Sequence, residues 1–173
     1  MEPMHSNSTK TDDDARVELR AAVARLDAAE AAGDAARLSQ ALAEVSRCHR
    51  RVGALAEADW YAKRGLAVAR TIGAVDASVD ALCELAELAL ERAERLDEQD
   101  EPRGAHRLRD AVRDHGYEAS QLARHTADPQ WEVTVLLRVA DVFDRLGDHD
   151  DAIALQTRAM GLMTGHETLA RAA

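Results

Sequence analysis

At 173 residues the chain is long enough for one domain burying roughly two thirds of its unfolded surface. Its hydrophobic content of 46% is mostly alanine and leucine, and its aromatic residues are only Trp60, Trp131, Tyr61, Tyr117 and Phe143, which suits closely packed helices and excludes a strand-rich sandwich. A formal charge of −10 argues against a nucleic-acid binder, whose affinity comes from cationic side chains displacing phosphate counterions.

Cys48 and Cys83 form no CxxC pair, so neither a zinc ligand set nor a disulfide framework is implied. Met1 to Asp14 carries no apolar secretory run, and the apolar window Ala81 to Leu90 is interrupted by Glu84 and Glu87, so no membrane span is expected. A cytoplasmic protein is the expectation. Abundant Ala, Arg and Asp, with Lys10 and Lys63 as the only lysines, is the composition of a GC-rich bacterial genome.

Residues 1–11 are polar and aperiodic and are expected to be a disordered tail, with a helical domain over 12–173. Asp12, Asp13 and Asp14 stand where a first helix would start, facing the positive end of its dipole, and Val17, Ala21, Val23, Leu26 and Ala29 give that helix an apolar stripe. Gly33-Asp34 ends it and caps a second helix carrying Leu38, Leu42, Val45 and Cys48. Gly53 ends the second helix, and a third runs to Ile72-Gly73. Asp76 is placed to cap a fourth, which fades into the charged run Asp97 to Glu101. Pro102 opens a fifth helix, where its missing N–H costs nothing, and Gly116 marks a candidate interruption before its end near His125. Asp128-Pro129 starts a sixth. Gly147-Asp148 repeats the turn chemistry of Gly33-Asp34 before a seventh, and Gly165 to Ala173 is a candidate short capping helix. About seven helices joined by tight turns imply antiparallel neighbours.

The segment Leu136, Val139-Ala140, Phe143, Gly147-Asp148, Ala152-Ile153, Ala159 resembles a tetratricopeptide repeat. A second match runs through Leu42, Val45-Ser46, His49, Gly53, Ala58 and Gly65, with His49 where a large apolar residue is usual. A third first-helix pattern runs from Leu82 through Leu85-Ala86 to Ala89. The resemblance implies an all-α, right-handed superhelix of antiparallel hairpins. The intervals from Leu42 to Leu82 and from Leu82 to Leu136 exceed the family period, so residues 95–103 form either a loop or part of long projecting helices.

In this family the first helix of each hairpin lines a groove that holds a partner segment. Carried over position by position, the groove candidates are Gln40, Ala43, Arg47, Arg50 and Arg51; then Cys83, Glu84, Glu87 and Glu91; then Leu137, Arg138, Asp141, Asp144 and Arg145. The implied groove is basic at one end, acidic in the middle and mixed at the other, and fits a partner of alternating charge. The alternative is that these are ordinary solvated positions. The family's carboxylate clamp of asparagine and lysine is missing, since Asn7 is the only asparagine. Trp60 and Trp131 are read as core or inter-hairpin seam residues, with interface anchors as the alternative.

No enzyme is expected. His149-Asp150 resembles a pair from metal-dependent phosphohydrolases, but His106, His115 and His125 do not supply the spacing that would complete a metal shell, and Asp148, Asp150 and Asp151 are explained by helix start signals. No metal or cofactor is implied. The expected function is a protein- or peptide-binding scaffold; the alternatives are a homodimerisation module, through Ile153, Met160 and Met163, or a small-molecule-sensing domain without catalysis.

Overall fold

The computed structural model describes the backbone of residues 6–126 and 128–172 and the side chains of residues 13–126 and 128–164. These contain seven α-helices: α1 (Ser6–Ala32), α2 (Ala35–Arg51), α3 (Leu55–Thr71), α4 (Val75–Glu98), α5 (Pro102–Leu122), α6 (Pro129–Leu146) and α7 (His149–Ala172). A single 3-10 turn, Ala123–His125, extends α5, and no strand occurs among the described residues. The chain is all-α, as expected. It divides into two compact units, Met1–Ala74 and Val75–Ala173.

In the first unit α2 packs against both α1 and α3. Ala22, Leu26 and Ala29 of α1 meet Ala41, Leu42, Val45 and Cys48 of α2, with Tyr61 and Val68 of α3 against them. Full burial of Leu42 and Val45 stabilises by roughly 1.5–3 kcal/mol each. Small residues set the α2–α3 spacing. A Cβ on Gly65 would already touch Leu42 Cβ at 3.4 Å, and Ser46 Oγ donates to the Ala58 carbonyl at 2.9 Å. His49 stacks on Tyr61, with ring centroids 5.2 Å apart. Asp34 caps α2 as expected, its Oδ1 accepting from the amides of Ala36 and Arg37 at 3.1 Å.

Two expectations about helix starts are corrected. Helix α1 begins at Ser6, inside the segment read as a tail, so Asp12 to Asp14 lie within the helix and not at its start; residues 1–5 lie outside the described residues. Helix α4 begins at Val75, which puts Asp76 in its first turn, where it complements the dipole without being the cap.

In the second unit the hairpins are α4–α5 and α6–α7, with α6 also against α4 and α5. Residues 95–103 are not a long loop. Helix α4 reaches Glu98 and α5 starts at Pro102, with Asp100 (φ 59°) in the left-handed turn that lets Glu101 N–H bond Leu96 O at 2.8 Å. Gly116 does not interrupt α5. It is the contact at which α6 comes close, because a Cβ there would lie 2.6 Å from Phe143 Cε1 and 3.1 Å from Val139 Cγ1. Gly147 takes φ 93°, which its missing side chain permits, and closes α6 with Asp148 N–H on Phe143 O at 2.9 Å. Helix α7 then runs without a break to Ala172, so no separate capping helix begins at Gly165. Ala140, Ala152 and Ala159 are all buried, as close helix crossing requires.

Candidate partner-binding groove

The residues predicted to line one groove fall into two different settings. In the first unit, α1 and α2 leave an open groove between them. One stretch, about 240 Å³, is lined by Arg25, Ala28, Ala29, Arg37, Gln40, Ala41 and Glu44. A neighbouring stretch of about 330 Å³ shares Arg25 and Glu44 and adds Glu18, Ala21, Arg47, Cys48 and Arg51. The floor is alanine because α1 carries Ala21 and Ala28 at one-face spacing, and the walls are charged. The candidates Gln40, Arg47 and Arg51 line this groove; Arg50 lies on α2 but is not among its lining residues.

Most groove charges are paired. Arg25 Nε donates to Glu44 at 2.7 Å, Arg51 Nη1 meets Glu18 Oε2 at 2.5 Å, and Arg37 Nε meets Asp34 Oδ2 at 3.2 Å. Arg51 Nη2 also lies 3.3 Å from Cys48 Sγ. Arg47 is exposed and forms no ion pair among the described residues. Arg25 was missed from the sequence because α1 was not read as a groove wall, and Arg37, in the first turn of α2, because the α2 candidates begin at Gln40.

In the second unit the acidic middle of the expected groove is corrected. Helix α4 is buried on most of its circumference, and Cys83 and Glu84 are 2% and 4% exposed. Arg138 of α6 covers the acids: its Nε donates to Glu87, and its Nη2 lies 3.3 Å from Glu84 Oε2. Burial works against the Arg138 charge, but the Glu87 hydrogen bond and the carboxylates outweigh it and hold the guanidinium above its ordinary pKa. Two turns on, Arg145 Nη2 donates to Glu94 at 3.0 Å. The pairs Glu87–Arg138 and Glu94–Arg145 share a sequence separation of 51, so α4 and α6 run parallel in a fixed register. Glu91, half-buried, lies on α4 between the two pairs. Glu84, Glu87, Arg138 and Arg145 therefore join two helices. Asp144 stands apart from that ladder, with its Oδ1 2.8 Å from His149 Nδ1, and Asp141 is exposed.

The acids after Gly147 also do more than start a helix. Asp148 receives both Arg113 Nε (2.7 Å) and Nη2 (3.1 Å), and Asp151 accepts from Tyr117 Oη at 2.7 Å, tying α7 to α5. Trp60 is not core: it is 55% exposed, with its ring edge on Tyr61 and the Arg64 guanidinium 5.6 Å from its centroid. Trp131 is half-buried. Among the described residues no group of three or more His, Cys, Asp or Glu is placed to hold a metal ion, and no helix is long and apolar enough to cross a membrane.

No family model and no curated protein matches this chain. Among solved structures it is similar to a chain of the "DHF58 filament", at 22% identity over 94% of this chain and 88% of that one, with a TM-score of 0.46. It is also similar to BtubC (BKLC) from P. vanneervenii, at 10% identity over 94% and 93% of the two chains, with a TM-score of 0.31.

Proposed function

We propose that this chain is a protein-interaction module of tetratricopeptide-like hairpins, and that the α1–α2 groove receives an apolar, acid-bearing helix or segment of a partner protein. Arg47 carries the reading: it is an exposed guanidinium on the wall of an alanine-floored groove whose other arginines already face carboxylates. A partner carboxylate supplies what Arg47 lacks, and the small floor lets a partner backbone come close. The Arg25–Glu44 and Arg51–Glu18 pairs offer both signs to a segment of alternating charge. The buried alanine and glycine crossings at Gly65, Ala140, Ala152 and Ala159 support the repeat reading. No catalytic role is proposed.

Fluorescence anisotropy with a labelled amphipathic helical peptide, bearing glutamates beside an alanine-leucine face, tests this. Arg47→Glu with Arg51→Glu is expected to weaken binding about ten-fold or more, and a peptide with lysines in place of glutamates is expected not to bind. Equal binding of both peptides, or no effect of the double charge reversal, rejects the groove.

A further inference from the structure

Helix α7 is two-faced in a way its neighbours are not. Leu155, Ala159 and Leu162 pack inward on Val133 and Leu136 of α6. From Ala152 to Thr164 its one charged residue is Arg158, which is turned inward to Glu132. The outward face over these turns therefore carries no charge, in a chain with 31% charged residues. Ile153 is 59% exposed, Met160 58% and Met163 48%, and nothing lies within 4 Å of a Cβ built on Gly161. Charge depletion with methionine enrichment is the composition of an interface centre, and contiguous exposed apolar surface is uncommon on a chain that stays alone.

We infer that this face of α7 pairs with the same face of a second copy of the chain, antiparallel across a twofold axis. The sequence of the face is complementary to itself in one register. An axis passing between Thr157 and Met160 sets Ile153 against Thr164, Met163 against Ala154, Met160 against Thr157 and Gln156 against Gly161 of the second copy. Each pair sets a larger side chain against a smaller one and occurs twice, as an isologous contact requires. Charge favours the same occupant. Two copies that each carry −10 repel wherever acids meet, and the stretch of the face from Ala152 to Thr164 brings none together. One helix pair of this length lies at the small end of stable interfaces, so the dimer is concentration-dependent in the micromolar range. The α1–α2 groove is on other helices, and the inference does not depend on it.

Sedimentation velocity of the full chain across the micromolar range tests this. A monomer–dimer equilibrium is expected, weakened about ten-fold or more by Ile153→Glu or by Met160→Glu, exposed positions where circular dichroism is expected to be unchanged. Oxidation of a Thr157→Cys/Met160→Cys variant is expected to give a covalent dimer, and Ile153→Cys alone is not. A wild-type monomer at every concentration overturns the proposal. So does a dimer indifferent to Met160→Glu that also fails to crosslink in the double-cysteine variant. A monomer whose Met160→Glu variant loses the glutamate peptide assigns the face to a different partner and equally overturns it.

Discussion

Arg138 Nη2 lies 3.3 Å from the Oε2 of Glu84, a carboxylate only 4% exposed, and the same guanidinium holds Glu87. A cation shared by two nearly buried acids is costly to remove, because both charges then stay in a poorly solvated place. Arg138→Met is therefore expected to lower unfolding free energy by about 3 kcal/mol or more. Adding Glu84→Gln and Glu87→Gln is expected to restore a good part of that loss. Urea denaturation of the wild type and both variants checks the coupling, and a loss under about 1 kcal/mol in Arg138→Met contradicts it.

Gly116 faces Phe143 so closely that a Cβ would stand 2.6 Å from Cε1 and 2.8 Å from Cζ. In an open helix, Gly→Ala gains about 0.5–1 kcal/mol. Here the ring, itself fully buried, has no room to give way, and Gly116→Ala is expected to cost about 1–3 kcal/mol. Gly161→Ala, with nothing within 4 Å, provides the contrast: it is expected to be neutral to stabilising in dilute solution. Denaturation midpoints that move the same way in both variants refute the crossing argument.

Much of this was legible in the sequence. Gly33-Asp34, Pro102 and Asp128-Pro129 act locally, and each does at its helix end what its chemistry dictates. The α4–α6 ladder was not legible from one helix at a time. Glu84, Glu87 and Glu91 look like a solvated acidic stripe until Arg138 and Arg145 are set beside them, and the recurrence of opposite charges 51 residues apart was the available signal. Asp148 was read as a helix-start acid because local rules suffice for that, yet its oxygens go to Arg113, 35 residues away. Gly116 looked like a break because a helix interior gains nothing from glycine unless another element approaches. The α1–α2 groove depends on Ala21 and Ala28, whose small size becomes informative only once α2 lies alongside.

Cys83 is 2% exposed, and burial pushes its thiol up from 9.0 to about 12, with the Arg138 charge acting in the opposite direction. The folded state thus favours the protonated thiol. That contribution is complete below the unfolded value near 9 and disappears as pH rises through about 12. Alkylation needs the thiolate, so at neutral pH Cys83 is expected to react only as the second unit opens. Pulsed iodoacetamide labelling followed by mass spectrometry is expected to show modification of Cys83 rising with urea alongside unfolding. Rapid labelling in the native state contradicts its buried position.

Tyr117 links the two hairpins of the second unit: its hydroxyl donates to Asp151 at 2.7 Å, while its ring meets the edge of Phe143 at 5.0 Å. The hydrogen bond to Asp151, then burial, then the nearby carboxylates raise its pKa from 10.0 to about 12. The neutral phenol is the form the fold prefers, so its stabilisation is full below pH 10 and is lost as pH rises toward about 12. Ultraviolet titration of tyrosinate is expected to show an upper transition near pH 12 that is absent in Tyr117→Phe. The thermal midpoint of the wild type is expected to fall more steeply across this window than that of Tyr117→Phe. Asp151→Asn keeps an acceptor but removes the charge, so the upper transition should move down toward the ordinary tyrosine value. If it stays in place in Asp151→Asn, the Asp151 carboxylate is not what holds the Tyr117 proton.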